Sequence, residues 1–202
     1  MNKLVALVIC LSAIAMLSAA GMFLFRIPYF HSIGLHMGML SVAMFFVYEK
    51  NTQTTLKRLG ITHVDYGRLF GYAVLGMAVM ASVVLALGII LSGLGMNDSG
   101  KVHEIVANKL PPYLIVFAIL FAPITEELFF RAFLADRFGV VLSSAAFAGM
   151  HLAYGSIAEI LAAFCIGLVL AYIYKASKSV LPAIAMHFAF NLSSISLIQV
   201  LR

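Results

Sequence analysis

The chain has 202 residues, of which 63% are hydrophobic and 10% charged, with a formal net charge of +5 and a mean hydropathy of +1.07. Soluble domains carry about 25% charged residues, and a globule of this length has no interior large enough for so much apolar surface, so a water-soluble fold is excluded. The thirteen Lys and Arg are scattered over short segments without the basic stripe that a phosphate backbone requires, which excludes a nucleic-acid partner.

A helix needs about 20 apolar residues to cross the hydrocarbon core. Seven such segments are predicted, at 5–25, 28–48, 70–95, 111–135, 138–155, 157–174 and 180–200. None alternates with the period of two expected of a membrane barrel. The predicted fold is therefore all-α: one polytopic integral membrane domain of about seven transmembrane helices, in contact with lipid.

The first segment has a second reading. Met1-Asn2-Lys3, the apolar run Leu4 to Leu17 and Ser18-Ala19-Ala20 together resemble a signal peptide. The run continues through Phe23-Leu24-Phe25 before Arg26 ends it, which favours a retained helix over cleavage within residues 1–25. Cys10 and Cys165 lie inside apolar spans and read as small buried hydrophobes rather than a disulfide. His31 and His36 in the second span read as structural.

Between spans, Lys and Arg alternate nine to four, with Lys50, Lys57, Arg58 and Arg68 dominating the richer side. The positive-inside rule places that side, and the N-terminus, in the cytoplasm. The 96–110 segment is then an exterior loop, and its His103-Glu104 lacks the second histidine of a zinc-protease helix, position 107 being Ala. Glu159 suits the start of an exterior helix, where acid complements the dipole. Residues 1–109 thus form about three membrane helices and loops, and 110–202 a second region of different character.

That second region carries the unusual residues. Glu126 and Glu127 follow thirteen uncharged residues, Tyr113 to Thr125. An ionisable side chain at membrane depth costs roughly 2.5–3.5 kcal/mol on insertion scales and is a functional hypothesis by default. Three groupings interrupt the last four spans: Glu126-Glu127-x-x-x-Arg131, Phe147-x-x-x-His151 and His187-x-x-x-Asn191. Each four-residue spacing puts two side chains on one helix face. Glu127 and Arg131 stand in the favourable order for an ion pair, while Glu126 points about 100° away and is left to take a proton from water. His151 can share that water, and His187 with Asn191 can aim N–H donors at an oxyanion. The same Glu126, His151 and His187 are also a reasonable zinc set. A charged helix end at the interface and histidine bridges between helices are the structural alternatives.

These three motifs, complete and in order, resemble the CAAX protease and bacteriocin-processing family of intramembrane glutamate proteases, related to the type II CAAX prenyl endopeptidase. The resemblance covers roughly residues 110–200. It implies a catalytic core on the last four helices and a cavity open to the cytosol and the membrane. It further implies hydrolysis by water activated at Glu126 and His151, with His187 and Asn191 as the oxyanion hole and Glu127 and Arg131 in support. It favours a reaction without a metal cofactor over the metalloendopeptidase label the family long carried. The expected substrate is a membrane-embedded or lipidated, CAAX-like peptide, and the expected location a bacterial plasma membrane. Two other functions fit the same polar residues: a non-catalytic bacteriocin-immunity or regulatory protein, and a small proton or solute relay.

Because His151 lies deep in its span and His187 lies soon after Pro182, the Phe138–Ser144 stretch is expected to be partly loop or re-entrant.

Overall fold

The computed structural model describes residues 3–24, 26–27, 29–62 and 64–201, with the side chains of residues 3, 4, 6 and 7 left aside. The Met1-Asn2 start of the signal-peptide reading, Phe25 and the charge counted at Arg202 lie outside these residues. The described residues of each of the seven apolar segments are mainly helical. In chain order the helices are α1 (Lys3–Phe23), α2 (Phe30–Val47), α3 (Thr52–Arg58), α4 (Tyr66–Gly93), α5 (Gly100–Glu104, continued by Ile105–Lys109), α6 (Pro112–Leu120), α7 (Ala122–Phe138), α8 (Val140–Met150, extended by the 3-10 turn His151–Tyr154), α9 (Ile157–Ser177) and α10 (Val180–Val200). No strand occurs among the described residues.

Four helices, α2, α4, α9 and α10, are long and apolar enough to cross a bilayer, and α6 with α7 makes a fifth if the bent pair is one span. α8 with its turn is apolar but shorter, and α1 is apolar over Val8–Phe23. The outward faces carry large exposed hydrophobics such as Phe70, Leu85 and Ile89 on α4. Those side chains suit hydrocarbon, where exposure carries no hydrophobic cost.

Local chemistry sets the helix ends. Asn51, Asp65, Ser156 and Ser179 cap α3, α4, α9 and α10, each accepting a bond from a backbone N–H in the first turn. α6 and α7 meet at a 44° bend. Pro123 has no N–H to return to the preceding turn, and Phe121 departs to φ −101°. Beyond the bend, Glu127–Ala135 runs as a π-helix, a wider turn that is frequent at functional sites.

The interior is a cluster of Met39, Met80, Phe130, Phe147, Leu170 and Met186, drawn from α2, α4, α7, α8, α9 and α10. α8 lies against α7, where the fully buried Ser143 hydroxyl donates to the Phe130 carbonyl. It lies equally close to α9. A Cβ on Gly167 would stand 3.1 Å from Ser144 Cβ and 3.2 Å from its Cα. Backbone cannot yield as a side chain can, so Gly167→Val is expected to lower stability by about 1–3 kcal/mol through overpacking. Thermal unfolding in detergent checks this, and an unchanged midpoint contradicts it.

Three expectations fail here. The 96–110 segment is not simply a loop: helical turns run from Gly100 to Lys109 and bury Val106 and Ala107, and His103-Glu104 sits on the first of them. Nor is Phe138–Ser144 a loop. Only Gly139, at φ 85°, breaks the chain, and α8 is helical from Val140. The shortness of α8 does what the re-entrant segment was expected to do. The cysteines are free, and Cys10 is exposed rather than buried.

Outside the membrane helices, Asp98 caps α9 from a distance in sequence. Its carboxylate accepts from the Ser156 hydroxyl and the Ile157 and Ala158 N–H groups, and Lys101 bridges from Asp98 to the Gly155 carbonyl. The Ala158 N–H, then the Ser156 hydroxyl, hold this carboxyl well below the usual carboxylate range. A lowered folded value means the tie is fully present above the ordinary value near 4 and is lost as pH falls below it toward the depressed one. Protection factors of the Ile157 and Ala158 amides, taken against intrinsic exchange at each pH, are therefore expected to fall on acidification below about pH 4. Asp98→Asn is expected to remove most of that fall.

Candidate active site

The bend and π-helix of α7 aim Glu126 and Glu127 in different directions. Glu127 is fully buried, and its Oε2 lies 2.9 Å from Nε of the equally buried Arg131. Its Oε1 accepts a 2.9 Å hydrogen bond from Nδ1 of His187 on α10. Glu127 thus joins two helices as well as balancing Arg131. The Arg131 contact is close but poorly aligned, and none of the three guanidinium nitrogens has a hydrogen-bond partner among the described residues. The aromatic faces of Phe147 and Phe130, 4.8 and 5.9 Å from its Cζ, supply the remaining contact.

Glu126 retains slight exposure, 14% of its side chain. It is bracketed by two imidazoles. His187 Nε2 is 3.6 Å from Oε2, and His36 Nε2, from α2, is 3.6 Å from Oε1. His36 Nδ1 in turn lies 2.7 Å from the Thr125 hydroxyl. The sequence reads His36 as structural, and the structure brings its Nε2 to 3.6 Å from Glu126. One signal could have found it: a histidine amid apolar residues whose only polar neighbour at three or four residues is Ser32. His31 shares that sequence setting but is exposed and shows only a ring contact with Tyr29.

His151 stands at the end of α8, where the helix tightens into its 3-10 turn. Its Nδ1 is 3.0 Å from the Phe147 carbonyl. A carbonyl can only accept, so in neutral His151 the proton sits on Nδ1 and Nε2 keeps its lone pair. Phe147 is the wedge between the groupings, its ring 4.9 Å from His151 and 5.7 Å from His187. No ion-pair contact joins His151 to Glu126 among the described residues, so the nearest imidazoles to the carboxylate are His36 and His187. Asn191 Nδ2 donates to the Ala118 carbonyl at the bend, 2.9 Å away. One of its two N–H bonds is therefore spent tying α10 to α6, and one remains.

The protons can be counted from these bonds. Glu127 holds the Nδ1 proton of His187, so a neutral His187 presents a lone pair, not a donor, to Glu126. Glu126, Glu127 and Arg131 sum to one negative charge. A single added proton makes the group neutral, the favoured state where solvation is poor. Placed on His187 Nε2, that proton makes the imidazolium a donor. Among the described residues no group of three His, Cys, Asp or Glu is arranged to hold a metal ion, so Glu126, His151 and His187 do not fit a zinc site as they stand.

Residues 108–193 match the family described as type II CAAX prenyl endopeptidase Rce1-like. No curated protein and no solved structure matches the chain.

Proposed function

We propose, for a chain whose residues 108–193 match the Rce1-like family, that it is an intramembrane endopeptidase acting on a membrane-anchored or lipidated, CAAX-like peptide. The observation that carries this reading is the slightly exposed Glu126 carboxylate held between two histidines, beside a second carboxylate already neutralised by Arg131.

In this reading Glu126 takes a proton from water as the oxygen attacks the scissile carbonyl carbon. The Nε2 lone pair of His151 accepts the water's other O–H. The oxyanion receives Nε2–H of protonated His187 and the free N–H of Asn191. On collapse the C–N bond breaks, and the leaving nitrogen takes the proton that Glu126 removed. One water is consumed and the site returns to its starting charge. The chain resides in a bacterial plasma membrane with its N-terminus in the cytoplasm, and needs no metal.

A comparison of membrane peptides from cells making the protein and cells making Glu126→Ala tests the reading and reveals the substrate. Peptides produced only by the unsubstituted protein are expected. Identical inventories would remove the peptidase and favour an immunity or regulatory role. Proton flux abolished by Glu126→Gln without proteolysis would favour the relay.

A further inference from the structure

We propose that His36 is a positioning residue for Glu126, an imidazole that fixes its carboxyl and stores the proton it takes from water. This rests on the peptidase reading above.

The case begins at Thr125. Its hydroxyl has one proton, and the Ala122 carbonyl, 3.0 Å away, accepts it. The Phe121 carbonyl lies 3.3 Å away and already receives the Thr125 backbone N–H. With that proton on the Ala122 carbonyl, Thr125 Oγ1 is an acceptor toward His36, and His36 Nδ1 carries the proton and donates it. In that tautomer a neutral His36 presents a bare Nε2, and that atom faces Glu126 Oε1 at 3.6 Å.

Two unprotonated acceptors facing each other repel, and a proton between them turns the contact into a hydrogen bond. The contact is thus poised for the moment when Glu126 takes a proton. The imidazole is held from its other side as well, by an edge-on contact with Phe117 at 5.0 Å between centroids. It is buried, and it enters from α2, outside the residues matched to the family.

The transfers balance. The water O–H breaks as its oxygen bonds to the carbonyl carbon, and the proton goes to Glu126 Oε1. From there it is shared with or passed to His36 Nε2 while the tetrahedral species lasts. It returns through Glu126 to the leaving nitrogen as the C–N bond breaks. His187 Nε2 faces Oε2, so the two histidines flank the two carboxyl oxygens. The titratable groups facing His36 are Glu126 on α7, His187 on α10 and His151 on α8.

The test uses the full chain in liposomes and a synthetic peptide spanning the bond found by the membrane comparison. His36→Gln cannot store a proton. It is expected to lower kcat about 10- to 100-fold, leave KM within about twofold, and remove one limb of the kcat–pH profile, with an unchanged melting temperature. Thr125→Val, which frees the ring, is expected to fall between. His36→Gln with the kcat and pH profile of the unsubstituted protein, beside an inactive Glu126→Gln, would overturn the role of His36 and leave the peptidase reading intact. An active Glu126→Gln would overturn both.

A second measurement needs no substrate and no variant. Nitrogen-15 spectra of histidine-labelled protein in lipid nanodiscs are expected to show His36 with Nδ1 protonated and Nε2 bare. A neutral His36 protonated on Nε2 would contradict the proposal.

Discussion

Replacing Glu126 with Gln is expected to reduce peptide hydrolysis by about 10²- to 10⁴-fold, the usual worth of a positioned general base, while leaving the fold unchanged. Gln keeps the volume of the side chain and one acceptor oxygen, with an NH2 donor in place of the other, but cannot take the water's proton. Two features argue that stability will not suffer. Glu126 has no charged partner nearer than 3.6 Å, and it is the less buried of the two acids. The loss should appear in kcat, because the proton moves only as the transition state forms. Initial rates and thermal unfolding of the same preparation check both halves. A rise in KM alone would place Glu126 in substrate binding rather than in the chemical step.

Arg131→Met is expected to do the opposite: to lower stability by about 3–5 kcal/mol, the cost of leaving one member of a buried ion pair alone. Glu127 and Arg131 are both fully buried, and their charges compensate each other across 2.9 Å. Without Arg131, Glu127 retains only the His187 Nδ1–H. Without the Glu127 charge, the guanidinium keeps only two aromatic faces. Glu127→Gln combined with Arg131→Met removes both charges and is expected to cost less than the sum of the single changes. Equilibrium unfolding in detergent measures the cycle, and strictly additive losses would show that the two residues act independently. Because Glu127 also fixes the His187 ring, both single variants should lose activity with stability, whereas Glu126→Gln loses activity alone.

The sequence shows most clearly what is local. Hydrophobic runs marked every long helix, since a run long enough to cross a bilayer is a property of consecutive residues. The i,i+4 spacing paired Glu127 with Arg131 for the same reason. What depends on helices meeting was not legible. His36 and Thr125 are 89 residues apart in the chain and 2.7 Å apart in space, and nothing in either span announces the contact. Asn191 was expected to offer its donors to the site. The bend at Phe121 makes the Ala118 carbonyl its partner, and that bend follows from Pro123 in a tertiary setting. Phe147 reads as packing and is packing, yet its ring is where His151, His187 and Arg131 converge. The turns over 100–109 were missed because Val106 and Ala107 are buried by α10, a partner far off in sequence.

The family match covers 108–193, and the site does not stop there. α2 brings His36 against α7, so a chain cut before residue 108 would lose one of the two imidazoles that face Glu126.

If a carboxylate on α7 activates water for direct attack on a peptide bond within the membrane, a single turnover in ¹⁸O-labelled water, with protein and peptide in liposomes, puts one ¹⁸O in the new carboxyl terminus of the peptide and none in the Glu126 side chain, and Glu126→Gln does not turn over. Label appearing in Glu126, or cleavage undiminished in Glu126→Gln, would contradict it.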